Sequence, residues 1–591
     1  MPRTSVAEYL AQFSPYRRDI ACVFPRGYRT IRWSYGELLT HAKGIAALLE
    51  QRAITKGDRI MLWGANCGEW LATFWGAMLR GVVLVPMDRT AAPEFAARVF
   101  EQVGAKLLVS SRGLTVPSAT GKILHFEDFP AALSQSDRAR KLDDGISLRR
   151  DDPVQIVFTS GTTGEPKGVV ITHGNILANL EPIEREVHKY LRYERIFHPL
   201  RFLNLLPLSH VFGQFMGIFV PPLIGATVVF LESIKPSDIV KTVHRNRVSV
   251  LITVPRLLGS LREMLESEMQ AAMGDSQTQT EMDAAGQEHF VWRWWRFRRI
   301  HSQFGWKFWA IISGGATLDP EDEEFWRRLG FAVVQGYGLT ETTSLVSLNH
   351  PFKLSRGSIG KALPGRDIKL DESGEILVRG HNIAGSYWVN GRPVSSGEGD
   401  WFRTGDLGTV DEAGNLYFKG RKKNVIVTAE GMNVYPEDLE AVIRAQPHIK
   451  DCAVVGIDRG GNGEPCAVLV LQPQANGTDA SQLASYAIDA ANAKLGSHQQ
   501  IRHWLIWPDS DFPRTSTQKP RQDLIAGYAR AQLAHSGNGN VPRSSVGAAI
   551  ASLNRVGSIR TGAKLDDDLN LSSIDRVDLL TALEQRHQVE L

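Results

Sequence analysis

Residues 157–175 read VFTSGTTGEPKGVVITHGN. An apolar run leads into a loop of threonines, a serine and glycines, and Lys167 follows. Glycines let backbone N–H groups approach a polyphosphate, hydroxyls add donors, and a lysine supplies a point charge. The spacing is not that of a P-loop, which needs GxxxxGK followed by Ser or Thr. Here Glu165 and Pro166 separate Gly164 from Lys167, so the P-loop NTPase reading fails. For this loop alone, a bare Gly/Thr turn is the competing reading.

Further groups able to do chemistry are spread downstream. Residues 206–214 (LPLSHVFGQ) hold His210 among apolar neighbours. Residues 312–316 (ISGGA) and 335–343 (QGYGLTETT) are rich in glycine and bring Tyr337, Thr340 and Glu341. Residues 401–408 (WFRTGDLG) carry Asp406, and residues 418–440 (FKGRKKNVIVTAEGMNVYPEDLE) carry Arg421, Lys423 and Gly431. Residues 512–524 (FPRTSTQKPRQDL) carry Lys519. Taken singly, each has a plain reading: Glu341 a surface acid, Asp406 a turn residue after Gly405, Arg421 and Lys519 solvated charges, Gly431 a bare turn.

The elements that must position these groups follow a β-α-β rhythm. Residues 34–52 place apolar side chains at helical spacing, and residues 58–64 (DRIMLWG) and 81–88 (GVVLVPMD) are short apolar runs with a helix between them. The rhythm continues through QIVFTS, NLLPLS, ATVVFLE, VSVLITV and FWAIISGGA. It predicts an α/β fold of parallel sheet with crossover helices. After about Gly420 the units shorten, which predicts a separate small α+β domain of ~100 residues. Residues 534–547 (AHSGNGNVPRSSVG) have the composition of a linker, and a short helical segment follows.

At 591 residues the chain is long enough for several domain-sized units. With 43% hydrophobic and 22% charged residues it is neither disordered nor collagen-like. Lys plus Arg is 67 against 64 Asp plus Glu, a net charge of +3, which argues against a nucleic-acid partner. Cys22, Cys67, Cys452 and Cys466 are scattered without a CxxC pair, so neither a disulfide framework nor a zinc site is expected, and a reducing, cytoplasmic compartment fits. The N-terminal residues lack the apolar stretch of a signal peptide.

Two segments bear on membranes. Residues 202–231 lack Asp, Glu, Lys and Arg and are long enough to span a bilayer. Pro207, Pro221, Pro222 and the polar Asn204, His210 and Gln214 instead predict buried strand, turn and helix. Residues 266–290 are polar and predict an exposed helix-loop insertion. Residues 291–309 (VWRWWRFRRIHSQFGWKFW) interleave aromatic and basic side chains. One reading is a peripheral membrane-surface patch near the entrance of a lipophilic substrate. The favoured one is an amphipathic helix whose Trp rings pack on the core while Arg faces water.

In this order, from about Trp33 to Lys519, the motifs resemble those of the adenylate-forming superfamily: acyl-CoA synthetases, adenylation domains and luciferases. GSIGKALPG, GEILVRG and SYW fall between them in family order. The resemblance implies a large domain over residues 1–422 with the ATP and acyl sites, and a small mobile domain over 423–530. It implies conversion of a carboxylic acid and ATP to acyl-AMP and pyrophosphate with Mg²⁺, then transfer to the thiol of CoA. It implies that Thr159, Ser160, Gly161, Thr162, Thr163, Gly164 and Lys167 cradle the β- and γ-phosphates. Gly314, Gly315, Ala316, Gln335, Gly336 and Gly338 would surround the nucleotide, with Tyr337 stacked on adenine. Thr340 would donate to the α-phosphate, Glu341 would hold Mg²⁺, and Asp406 and Arg421 would bind the ribose. His210 would lie at the acyl site, Lys423 at the hinge, and Gly431 beside the passage for pantetheine. Lys519 would bridge the substrate carboxylate and the α-phosphate. Gln518 stands where the family's loop has glycine, which is costly if that position needs a positive φ. The spacing from SGGATLDPEDEEFWRRLGF to GYGLTETT and the upstream insertion look most like long-chain fatty acyl-CoA synthetases, so a medium- or long-chain fatty acid is the expected substrate.

The last stretch, KLDDDLNLSSIDRVDLLTALEQRHQVEL, resembles the phosphopantetheine site and second helix of an acyl carrier protein. The resemblance implies a linker over 531–547, a partial carrier segment over 548–591, and 4′-phosphopantetheine on Ser573 as an alternative acceptor to CoA. Ser572 takes the place of the usual acid. Gln518 and Pro520 also motivate a third reading, a catalytically inactive ligand-binding module.

Overall fold

A computed structural model describes residues 2–135, 146–159, 167–350, 355–395, 401–428, 432–459, 462–472, 480–496, 499–515 and 517–535. They fall into two compact units. Among the described residues, the first takes in those of Met1–Val425, Tyr435–Ala441 and Pro513–Pro520; the second takes in those of Ile426–Val434 and Val442–Phe512 and those from Arg521 to His535.

Two large sheets build the first unit. Among the described residues, one has nine strands, with a parallel centre in the order Ala332–Tyr337, Ala310–Gly314, Val250–Thr253, Arg201–Asn204, Thr227–Phe230 and Ile20–Arg26. The other has eight and includes Lys167–Thr172, Pro153–Thr159, Val83–Met87, Arg59–Trp63 and Leu107–Ser110. The crossovers are helical, as the β-α-β rhythm requires. A third, antiparallel sheet joins Arg366–Leu370, Glu375–Gly380, Phe402–Val410 and Leu416–Arg421.

Both large sheets are covered on both faces, so successive strand residues enter different cores. Val228 and Leu62 belong to a central core with Trp70, Phe74 and Trp75 of the helix Gly68–Arg80. Val229 faces a second core with Leu258 and Leu261 of the helix Pro255–Met273. Met61 and Trp63 face a third with Val99 and Phe100 of the helix Pro93–Val103. Local signals start the helices where strands stop. Thr172 ends a strand and caps the helix His173–His188 reciprocally with Asn175, as Ser34 does with Glu37.

The second unit is α+β. Ile449–Arg459 and Asn462–Leu471 pair antiparallel, His503–Ile506 adds in parallel, and Val455, Ile457 and Val468 pack with Ile525 and Ala529 of the helix Gln522–His535. The expected linker's first residues, 531–535, instead continue the helix Gln522–His535; the rest of the linker and the carrier-like segment lie outside the described residues.

The uncharged run 202–231 folds as strand, short helices and strand, interrupted by a π-helical turn at Phe215–Phe219 whose side chains are buried. Among the described residues no helix is long and apolar enough to cross a membrane. The polar insertion is more helical than expected: Asp275–Gln287 follows Pro255–Met273, and Met269, Met282 and Ala285 are buried.

The favoured packing reading of residues 291–309 holds for Trp294 and Trp309 and is corrected for the other three tryptophans. Trp292, Trp295 and Trp306 are 63%, 65% and 62% exposed. Phe297, Ile300, Phe304 and Phe308 occupy the core instead. Arg293 donates to the Glu288 and Arg327 carbonyls, and Arg296 pairs with Glu281 and Glu288. Those two guanidinium groups are thus held by protein partners and three indoles face out, while Trp294 lies against the buried His301, Trp309 packs on the core, and Arg298 and Arg299 are exposed.

Candidate active site

Thr159 ends one strand and pairs with Lys167, which begins the next. The two ends of the expected phosphate loop therefore meet at a hairpin mouth, with Lys167 exposed. Ser160, Gly161, Thr162, Thr163 and Gly164 lie outside the described residues, as do Gly431 and Ser573.

Gly314 and Gly336 face each other at the C-terminal ends of two parallel strands, the edge where open α/β sheets receive ligands. The space their side chains would take is filled by neighbours, the Phe212 ring at Gly314 and Leu345 and Leu348 at Gly336. A Cβ on Gly314 would come 2.5 Å from the Phe212 ring, and one on Gly338 would come 1.7 Å from the Ser344 carbonyl oxygen. Gly315 has a φ of +86°, and Ala316 beyond it is exposed. Gln335 is buried, and its Nε2 donates over 3.1 Å to Glu323 Oε2, which also accepts from Gly357 N.

Tyr337, next to Gly336 at the end of the same strand, is buried. Its hydroxyl donates to Asp406 Oδ2 over 2.8 Å, and burial, then that carboxylate, raises the phenol's pKa. Asp406 lies opposite Arg421 in the antiparallel sheet, with Arg421 Nε 3.1 Å from Asp406 Oδ1. Burial raises the pKa of Asp406, and the Arg421 charge opposes it. Burial also raises the pKa of Glu341; Arg421 opposes this and Asp406 adds to it. The Arg421 charge acts on both carboxylates, and Lys519 acts on Asp406 as well. Among the described residues no three His, Cys, Asp or Glu side chains converge as a metal cage. Glu341 on its turn fits an ion such as Mg²⁺, which takes one carboxylate and draws further oxygens from a phosphate substrate.

The loop Pro513–Pro520 is counted in the same compact unit as these groups. Thr515 N donates to Lys519 O and Gln518 N to Thr515 O, both over 2.9 Å. Gln518 has a φ of +62°, so the strain expected from its replacement of glycine is present. Lys519 keeps solvent contact, yet burial of its ammonium lowers its pKa; Arg421 adds to this and Asp406 opposes it. Both facts suit a side chain in an open cleft walled by protein.

His210 precedes the short helix Val211–Gln214, whose Phe212 ring covers Gly314. Its Nε2 is 3.1 Å from Asp88 Oδ2, and Asp88 Oδ1 accepts from Thr90 N. Lys423 is exposed on the short turn Lys422–Asn424, just before the first unit ends at Val425. Asp88, Glu323, Asn179, Asn382 and Arg366 carried no signal in the sequence, because each acts through partners distant along the chain. Only Asn175 was readable, as the second member of a capping pair.

Comparison with known proteins gives the chain's relatives. Residues 11–388 match the profile of the AMP-binding enzyme family, and residues 423–531 match that of the AMP-binding enzyme C-terminal domain. A long-chain-fatty-acid–CoA ligase of Mycobacterium bovis is 28% identical over 557 residues, covering 83% of this chain and 90% of that protein. An indoleacetate–CoA ligase of Aromatoleum aromaticum is 27% identical, covering 83% and 92%. The fold is similar to o-succinylbenzoate CoA synthetase from Bacillus subtilis in complex with its acyl-adenylate, at TM-score 0.68 and 24% identity, covering 88% of this chain and 98% of that one. With one family profile matching well over half of its residues, the chain belongs to the AMP-binding enzyme family.

Proposed function

We propose that this adenylate-forming acid–thiol ligase takes a medium- or long-chain fatty acid, activates it with ATP to acyl-AMP and passes the acyl group to CoA. The family match along the chain, together with the Tyr337–Asp406–Arg421 group at the sheet edge, carries the reading. A carboxylate is a poor electrophile, so the chain must hold it in line with the α-phosphorus and neutralise the charge that develops. In this reading residues 159–164 and Lys167 hold the β- and γ-phosphates. Tyr337 lies against adenine beside the backbone of Gly314, Gly315 and Ala316, and Asp406 and Arg421 take the ribose. Thr340 donates to the α-phosphate. Mg²⁺, held by Glu341, supplies charge neutralisation on the phosphates. Lys519 bridges the carboxylate and the α-phosphate, and the small domain turns about Lys423 so that CoA can enter past Gly431.

The fatty acid is favoured by the long-chain-fatty-acid ligases among the relatives at 28% identity. Pyrophosphate release with a panel of acids tests it: fastest turnover with C8–C18 acids supports the class, and preference for an aromatic acid overturns it. Transfer to Ser573 is the alternative for the acceptor; mass gain after treatment with a phosphopantetheinyl transferase and CoA decides it. The exposed Trp292, Trp295 and Trp306, with Arg298 stacked on Trp295 and Lys307 on Trp306, suit the surface of an anionic bilayer. Sedimentation with anionic vesicles, with and without Trp292→Ser and Trp295→Ser, tests that contact.

A further inference from the structure

Two consecutive residues after the Thr340–Glu341 turn, Thr343 and Ser344, have φ of 53° and 93°. Neither is glycine, and side chains are strained in the left-handed region. Such a backbone persists only where its surroundings over-determine it. Within the turn, Leu339 N donates to Thr342 Oγ1 over 2.9 Å and Ser344 N to Leu339 O over 3.1 Å.

Three successive carbonyls of the turn are held from outside. Ala384 N donates to Glu341 O over 2.7 Å, Asn382 Nδ2 to Thr342 O over 3.0 Å, and Asn179 Nδ2 to Thr343 O over 2.7 Å. The Asn179 oxygen in turn accepts from Arg366 Nη2 over 2.6 Å. That bond fixes the amide, because with its oxygen toward the guanidinium its NH₂ group must face Thr343. Asn179 and Asn382 are fully buried, and Arg366 is 7% exposed.

Arg366 is an expensive choice for this place. Burial alone pushes its pKa down to about 10, and among the described residues its Nε and Nη1 find no protein partner. A buried cation without a counter-charge weakens a fold rather than strengthening it. Its use has to lie in what it orients. The helix bearing Asn179 follows directly from the strand that Lys167 begins, and Arg366 belongs to the sheet that bears Asp406. The bonds therefore tie the phosphate hairpin, the turn and the ribose-side sheet to one another.

We propose that Arg366, through Asn179, is a positioning residue for adenylation: with Asn382 it clamps the strained turn so that Thr340 and Glu341 meet the reacting phosphate and its metal ion. The inference rests on the reading of Thr340 and Glu341 given above.

Arg366→Met removes the charge and keeps the length of the side chain. Its unfolding midpoint should stay level or rise. Per folded molecule, kcat for pyrophosphate release should fall about tenfold or more, as expected when reacting groups are misplaced. KM for ATP should stay within about twofold, since ground-state binding is spared. The Mg²⁺ concentration for half-maximal rate should rise. Arg366 Nη2 also donates to Ala178 O over 3.2 Å, and Arg366→Lys keeps a donor for it and for Asn179 Oδ1, so it should recover most of kcat. Unchanged kcat and Mg²⁺ dependence in Arg366→Met overturns the proposal. So does an activity loss that follows a lowered midpoint and is not recovered by lysine, because that describes a merely structural residue. Glu341→Ala is assayed alongside. If it leaves Mg²⁺ dependence unchanged, the reading of the turn falls and the clamp with it. If it alters that dependence while Arg366→Met does not, the clamp alone falls.

Discussion

Tyr337 and Asp406 belong to different sheets, and the hydroxyl of the first donates to the carboxylate of the second over 2.8 Å. The bond joins the residue assigned to adenine to the one assigned to the ribose. Tyr337→Phe keeps the ring and leaves Asp406 Oδ2 without that donor, a loss of roughly 1–3 kcal/mol for a buried acceptor. Urea unfolding should show the lower stability, and KM for ATP should rise while kcat changes less.

Glu341 supplies the pH dependence. Burial raises its pKa in the folded chain above the unfolded value. The folded state therefore holds the proton more tightly, and stability falls as pH rises from the unfolded carboxylate range through the higher folded value. Glu341→Gln removes the ionisation. Its melting temperature should exceed that of the parent chain at pH 7, and the gap should close as pH falls below the ordinary carboxylate range. A gap that stays constant with pH would show that Glu341 is not held at a raised pKa.

Gln518 sits at a φ of +62°, where glycine has no steric penalty. Gln518→Gly should relieve about 1 kcal/mol of local strain, offset in part by entropy gained in the unfolded chain. Adenylation should be retained or accelerated, while Gln518→Val should lower it. Pyrophosphate release from both variants measures this.

Lys519 and Lys167 separate the half-reactions. Lys519→Ala should depress acyl-AMP formation and spare thioester formation from supplied acyl-AMP, since it serves one of two orientations of the small domain. Lys167→Ala should lower adenylation by about 10²-fold, the scale of one lost electrostatic donor at a transition state. Its melting temperature should not move, because Lys167 is exposed. Equal loss of both half-reactions in Lys519→Ala would remove that assignment.

The parts legible in the sequence were those whose cause is local. Glycines 314, 336 and 338 announce a close approach, and the structure shows what a Cβ would strike at two of them. The run 202–231 was readable as core because its prolines and polar residues exclude a spanning helix. Trp292 and Trp295 were not readable: whether an aromatic or a basic side chain turns inward depends on Glu281 and Glu288, which hold Arg296. Asn179 and Arg366 stayed invisible for the same reason, since a polar residue's purpose lies with partners folded against it.

Because Val228 and Val229, or Met61 and Leu62, serve different cores, a single residue gained or lost within those strands would exchange both faces of the strand at once. Two cores would receive the wrong side chains together, a defect no single compensating substitution repairs. Changes in chain length are thereby confined to the connections. The helical excursion of residues 255–304, between the strands Val250–Thr253 and Ala310–Gly314, is where a chain of this design can grow or shrink while its catalytic edge keeps its register.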